Sequence, residues 1–371
     1  MRCLSLFSGC GGLDLGLEQA GFSIALAVDN WERSAQSYAL NRPDTPFFHG
    51  SVTDLTLPLM KQQSKGKVTP GIDLLAGGPP CPPYSKSRFY RKSKPRALED
   101  KIGQETMSGY LTALKLLKPR AFLLENVAGL AYKVHSEALR LIEDTAKELG
   151  YTTNWRVVNA ANYGVPQIRE RCFVVGLRDR KFEFPPQTHS SGDARAKLKG
   201  LDALPRWVTA GQAIDDLDTE ENADDTGHYA GGQYHDLLEK VPQGDNYLFF
   251  TKERGHPKPK FKWRSRYWSF LLKLSREMPS WTIQARRSNN MGPFHWRNRI
   301  LRIAEVKRLQ TFPDGWQLSG RVDDQWRQLG NAVPPLLACC LGEAIVAQLN
   351  AKPMAEPAPS RRKHARSRTP A

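Results

Sequence analysis

Along the first half of the chain, apolar residues come in short, nearly continuous runs, each followed by a stretch of different periodicity. Residues 3–7, 25–29, 73–76, 121–125, 155–158 and 172–176 are such runs, the pattern of strands buried on both faces. Residues 108–117 and 136–149 read as helices. In the second, Leu139, Ile142, Ala146 and Leu149 recur at spacings of three and four, with Ser136 placed to cap the start and Gly150 to end it. Strand–helix alternation predicts an α/β fold built on a doubly wound, mostly parallel sheet. Such sheets bind ligands at the carboxyl ends of their strands.

From 185 to 297 this pattern breaks. Pro, Gly, Trp and mixed charges dominate, without a long amphipathic helix, and helical signals return over 300–312 and 333–349. We read 1–189 as the sheet domain, 190–297 as a smaller inserted domain, 298–350 as the return to the sheet, and 351–371 as a disordered basic tail.

Composition narrows the class. The chain has 371 residues, 40% hydrophobic and 25% charged, a globular balance. Its 54 Lys and Arg against 38 Asp and Glu give a net charge of +16, which suits a polyanionic partner, nucleic acid first. Basic residues interleave with aromatics at 86–101 and again at 252–268, a mixture suited to phosphate contact and base stacking. The acidic run 215–225 reads as a surface segment between domains. The six cysteines form no C-x-x-C pair and no zinc spacing, which argues against a metal site or a disulfide scaffold. We find no signal-peptide pattern and no apolar run near membrane length, and so expect a soluble, cytoplasmic protein without membrane contact.

Several segments carry chemistry. Phe7-Ser-Gly-Cys-Gly-Gly-Leu13 follows the first run and opens a helix; its glycines allow a sharp bend and a close ligand approach. Asp14 stands where a dinucleotide fingerprint needs its third glycine, which disfavours a pyrophosphate site and a nicotinamide oxidoreductase. Asp29 ends the second run, where a carboxylate can bind ribose hydroxyls. Trp31 can stack on a purine and Asp54 can accept from an exocyclic amine. Together they suggest an adenosine-containing cofactor. Cys81 lies in a rigid Pro-Pro-Cys-Pro-Pro turn at the ligand edge, where a nearby cation would favour its thiolate. Glu125 ends another run at the same edge. Arg169 and Arg171, two residues apart, would share one strand face and reach one anion.

With these residues in hand, the chain resembles the DNA (cytosine-5)-methyltransferases of bacterial restriction–modification systems. The matching segments are Leu6–Asp14, Val28-Asp29, Gly50–Asp54, Pro79-Pro-Cys-Pro-Pro-Tyr-Ser85, Glu125-Asn-Val127, Asn162–Arg171, Arg299–Asp314 and Gly330-Asn-Ala-Val-Pro334, in the family's order. Pro82 and Tyr84 depart from the usual Gln and Phe. The stretch 190–297 falls where the family carries its target-recognition domain.

The resemblance implies methyl transfer from S-adenosylmethionine to C5 of a cytosine flipped out of double-stranded DNA, with Cys81 adding covalently to C6. Glu125 would serve N3 and N4 of the base, and Arg169 and Arg171 its O2. Phe7, Gly9, Gly11, Leu13, Asp29, Trp31, Asp54, Pro80 and Asn331 would line the cofactor pocket. Ser85, Lys86 and Arg88 would touch phosphates, and Trp263, Arg264, Arg266, Arg286 and Arg287 are the candidates for reading DNA. The family further implies a monomer at the nucleoid, with a cognate restriction endonuclease as its counterpart. The related tRNA methyltransferases share the catalytic motifs but have a shorter middle region, so the long basic–aromatic middle favours DNA. A catalytically dead relative would have lost Cys81, Glu125 or the cofactor glycines, and all are present.

Overall fold

The computed structural model describes residues 1–80, 100–201, 203–219 and 228–351. Cys81, Ser85, Lys86 and Arg88, the rest of the stretch to 99, the end of the acidic run and the basic tail lie outside the described residues.

The strands are β1 (Arg2–Leu6), β2 (Ser23–Asp29), β3 (Phe47–His49), β4 (Leu74–Gly77), β5 (Ala121–Val127), β6 (Thr152–Asn159), β7 (Gln167–Ile168), β8 (Glu170–Leu177) and β9 (Ser280–Trp281). Seven of them form one sheet in the order β3-β2-β1-β4-β5-β8-β6. The first five are parallel, while β8 runs antiparallel to both β5 and β6. The predicted mostly parallel α/β sheet is therefore present. β7 and β9 pair separately and join the sheet edge to the inserted segment.

Period-two alternation buries both faces. In β5, Phe122 and Leu124 enter one apolar cluster, while Ala121 and Leu123 enter the other. The helices are α1 (Gly12–Gln19), α2 (Glu32–Asn41), α3 (Leu57–Gln63), α4 (Lys101–Leu117), α5 (Ser136–Glu148), α6 (Ala194–Leu198), α7 (Ala210–Ile214), α8 (His235–Lys240), α9 (Ile303–Leu309), α10 (Val322–Asn331) and α11 (Pro335–Asn350). Helices α4 and α5 cover one face of the sheet, and α1 and α11 cover the other. The two helices on that second face touch closely: a Cβ at Gly16 would lie 2.2 Å from the Pro335 carbonyl oxygen.

Several boundaries differ from the sequence reading. α4 begins at Lys101, not 108, because Asp100 caps it by accepting from the amides of Ile102 and Gly103. Ser136 is the first residue inside α5 and makes no cap bond; His135 occupies the capping position. The signal over 300–312 yields only α9, since Arg302 is extended before it. A membrane-length apolar window does occur within Val322–Asn350, contrary to the reading above. In the fold this stretch is two helices separated at Ala332–Pro334, and the second packs its apolar side into the core.

The inserted segment builds a third apolar cluster, and that cluster includes Ile300, Leu301, Val306, Leu309, Trp326 and Leu329. Residues from 300 to 329 thus share an apolar cluster with the insert, and α11 packs on the sheet. In the described part of the acidic run Asp215 and Asp216 are at the surface, as expected, and Asp218 is half-buried. The Asp218 side chain is 4% exposed, accepts from Arg297 Nε at 2.7 Å and lies 3.7 Å from Arg299, while Asp216 accepts from Arg308 at 2.8 Å. These carboxylates tie the run to Arg297 and Arg299 and, through Arg308, to α9.

Candidate active site

At the carboxyl end of β1 the chain turns sharply. Phe7, Gly9 and Gly11 all have positive φ, at 57°, 56° and 88°. Gly9 needs its freedom from a side chain on that ground, and a Cβ there would meet nothing within 4 Å, so open space lies over the turn. Asp29 holds the arrangement together: one carboxylate oxygen accepts from the Gly9 amide at 2.9 Å and the other from the Trp31 amide at 2.8 Å. Burial raises its pKa, opposed by those same hydrogen bonds. Below the turn, Ser5 and Tyr38 donate to the fully buried Asp14, whose carboxyl burial pushes up to about 6.

Of the other predicted cofactor residues, Leu13 is buried in the core beside α11, with its side chain among apolar neighbours. Asp54 ends a short helical turn after β3 and is exposed. Asn331 closes α10 and is also exposed, while Pro80 is half-buried.

The second cluster forms where β4 and β5 end side by side. Beyond β4, Gly78 passes so close to Glu125 that a Cβ would sit 2.8 Å from Oε2. Asn126, fully buried, donates from Nδ2 to the Pro79 carbonyl at 3.1 Å. The chain leading to position 81 is thereby pinned against the Glu125 carboxylate. Glu125 is 4% exposed and pairs with Arg171 Nε at 3.1 Å, across the β5–β8 register. Burial raises its pKa, while the guanidiniums of Arg171 and Arg169 pull the other way.

Arg169 behaves differently from Arg171. It lies between β7 and β8, so the expected shared strand face is absent: the alternation is interrupted there. Its buried guanidinium donates to the carbonyls of Ile283, Gly330 and Ala332 at 3.1, 2.8 and 2.9 Å, joining the sheet edge to the insert and to the end of α10. Gln167 does similar work, accepting from the Ile283 amide and donating to the Leu309 carbonyl.

A cleft of about 290 Å³ opens at the Arg171 end, walled by Val127, Gly129 and Tyr132 on one side and Trp281 and Thr282 on the other. Asn126, Gln167, Tyr132 and Trp281 are contributions that sequence reasoning missed. Asn126 and Gln167 stand within the quoted motifs but carried no signal of role, and Trp281 is one tryptophan among several.

All the described cysteines have raised thiol pKa values. Burial pushes Cys10 and Cys172 up to about 12 and Cys339 to about 11, and raises Cys3 and Cys340 as well. None of these is a ready thiolate.

On the insert, Trp263, Tyr267 and Trp268 are 40%, 52% and 50% exposed, unusual for such large rings; Arg264 lies beside Trp263, and Arg266 and Arg286 are also exposed. Trp268 meets Trp281 edge-on at 5.7 Å, which links this surface to the cleft. Arg287 is set apart: it is half-buried, 3.7 Å from Asp323.

Comparison with known proteins identifies the family. The family described as C-5 cytosine-specific DNA methylase matches residues 1–347. The chain is 36% identical to the Type II methyltransferase M.SacI of Streptomyces achromogenes, over 93% of each chain. It is 32% identical to the Type II methyltransferase M.NgoFVII of Neisseria gonorrhoeae, over 90% of this chain and 83% of that one. Among solved structures, the S. pombe Dnmt2 methyltransferase superposes with a TM-score of 0.61 at 17% identity, covering 95% of this chain and 99% of that one, a likeness of fold.

Proposed function

Because the chain belongs to the C-5 cytosine-specific DNA methylase family, we propose that it methylates one cytosine of a specific duplex sequence through covalent addition of Cys81, protecting host DNA from a cognate endonuclease. At the coarser level it is a C5-cytosine DNA methyltransferase of the Type II restriction–modification class.

The observation that carries the covalent reading is the pinning of the Gly78–Pro80 segment against Glu125. Cys81, outside the described residues, is one peptide bond past Pro80. No described cysteine competes for the role of nucleophile. The Cys81 thiolate adds to C6 of the flipped base, and the electron pair moves toward C5 and the N3–C4 edge. Glu125, whose pKa burial raises, donates to N3 and accepts from the N4 amino group as charge develops there. Arg171, already on Glu125, holds O2. Arg169 supports the same edge from behind, since its own guanidinium is occupied by carbonyls. C5 then gains the methyl group, and loss of its proton with expulsion of the thiolate restores aromaticity.

S-adenosylmethionine, when bound, supplies a methyl group on a sulfonium. The open space over Gly9, the clipped Asp29 carboxylate and the Trp31 ring fit its amino-acid, ribose and adenine parts, with Phe7, Gly11, Asp54, Pro80 and Asn331 around them. The insert, together with the residues after 299 that share its core, reads the target sequence. There Trp263, Arg264, Arg266, Arg286 and Arg287, with Ser85, Lys86 and Arg88 of the loop past Cys81, contact DNA. The protein acts as a cytoplasmic monomer at the nucleoid.

Bisulfite sequencing of DNA from cells expressing the chain tests the activity and finds the site. A duplex carrying 5-fluorocytosine at that site tests the chemistry: it should trap a covalent complex with the native protein and none with Cys81→Ala. Full turnover by Cys81→Ala refutes the covalent step.

A further inference from the structure

The indole of Trp31 is restrained from a second direction. Its amide is held by Asp29, and the Arg327 guanidinium carbon lies 4.4 Å from the centre of its ring. Arg327 is on α10, one turn before Asn331. It is exposed, and among the described residues it makes no ion pair or hydrogen bond, so the indole is its only partner there. A guanidinium over an aromatic ring restrains it from that side.

We propose that Arg327 is a positioning residue for the cofactor, acting through Trp31. A tryptophan on a pocket rim can turn about two side-chain bonds, and freezing it on ligand binding weakens affinity. The guanidinium holds the ring in place beforehand, so that it meets the purine already oriented. The site is thus assembled from two distant parts of the chain: the end of β2 supplies the platform, and α10 supplies the brace. This inference rests on the cofactor reading of Trp31.

The test uses the full chain, with calorimetric titration of S-adenosylhomocysteine as the probe and methyl-transfer kinetics alongside. Arg327→Met should weaken binding about threefold to fivefold and raise KM for S-adenosylmethionine by a similar factor, with kcat changed less than twofold. Arg327→Lys, which keeps the charge without the flat stack, should fall between. In a Trp31→Ala background, Arg327→Met should add nothing. Unchanged affinity in Arg327→Met, or the same added loss in the Trp31→Ala background, overturns the brace. If Trp31→Ala itself binds as tightly as the native chain, the cofactor reading of Trp31 fails and the brace with it. If Trp31→Ala weakens binding and Arg327→Met does not, the brace alone fails.

Discussion

Gly78→Ala is the substitution that most directly interrogates the catalytic edge, because it adds one carbon atom and touches one functional atom. The new Cβ would stand 2.8 Å from Glu125 Oε2, so the carboxylate must retreat by roughly half an ångström to reach an ordinary contact. Glu125 is buried and tied to Arg171 at 3.1 Å, so the retreat turns the carboxylate away from its place relative to the chain past Pro80. Because the displaced atom is the far end of a side chain, the fold itself should lose little. Misplacement on this scale costs on the order of tenfold to a hundredfold in kcat, about 1.4–2.7 kcal/mol of transition-state stabilisation. Single-turnover transfer of labelled methyl groups to a duplex with saturating cofactor measures the step, with S-adenosylhomocysteine affinity as the control. A Gly78→Ala protein that transfers at the native rate refutes the argument that Glu125 must be held at this spot.

Glu125→Gln should flatten one part of the stability profile. The raised pKa means that the folded protein holds this proton more tightly than the unfolded chain does. The corresponding stability is complete below the ordinary carboxylate range and disappears as pH climbs through the raised value. Urea midpoints of the native protein should therefore fall relative to the Gln variant over that interval, and parallel curves contradict the assignment. Gly16→Ala places a methyl group 2.2 Å from a backbone oxygen of α11 and should destabilise by about 1–3 kcal/mol, seen as a lower thermal midpoint; an unchanged midpoint would mean that the two helices separate freely. Arg169→Lys keeps the charge but cannot serve three carbonyls. Faster proteolysis between the sheet and the insert is the expected result, and native resistance would show the tie to be dispensable.

What the sequence revealed follows from which forces act locally. The apolar runs of the parallel strands were legible because both faces of the sheet are covered, which leaves no polar interruption in segments such as 121–124. The glycine turn and Glu125 were legible because strand ends announce themselves by a change of residue type. α2 was missed because its buried residues include Ser34, Ser37 and Tyr38, so no apolar stripe marks it. α4 looked too short because its first turn is polar and depends on a cap. The roles of Asn126 and Gln167 depend on partners far away in sequence, the carbonyls of Pro79 and Leu309, and no local pattern encodes those. Arg169 misled for the same reason: its spacing from Arg171 suggested a paired clamp, while contacts more than a hundred residues away decide where it points.

The hub at Arg169 also limits how the molecule can breathe. Prising the insert away from the sheet at this point would break the bonds of Arg169 to three carbonyls, two of them buried. Any opening that keeps these bonds is confined to parts of the insert away from Arg169. On the proposed reading, the Glu125–Arg171 pair would then keep its place beside an everted base while the surface above it varies, so a single reaction geometry could serve many different DNA-reading surfaces.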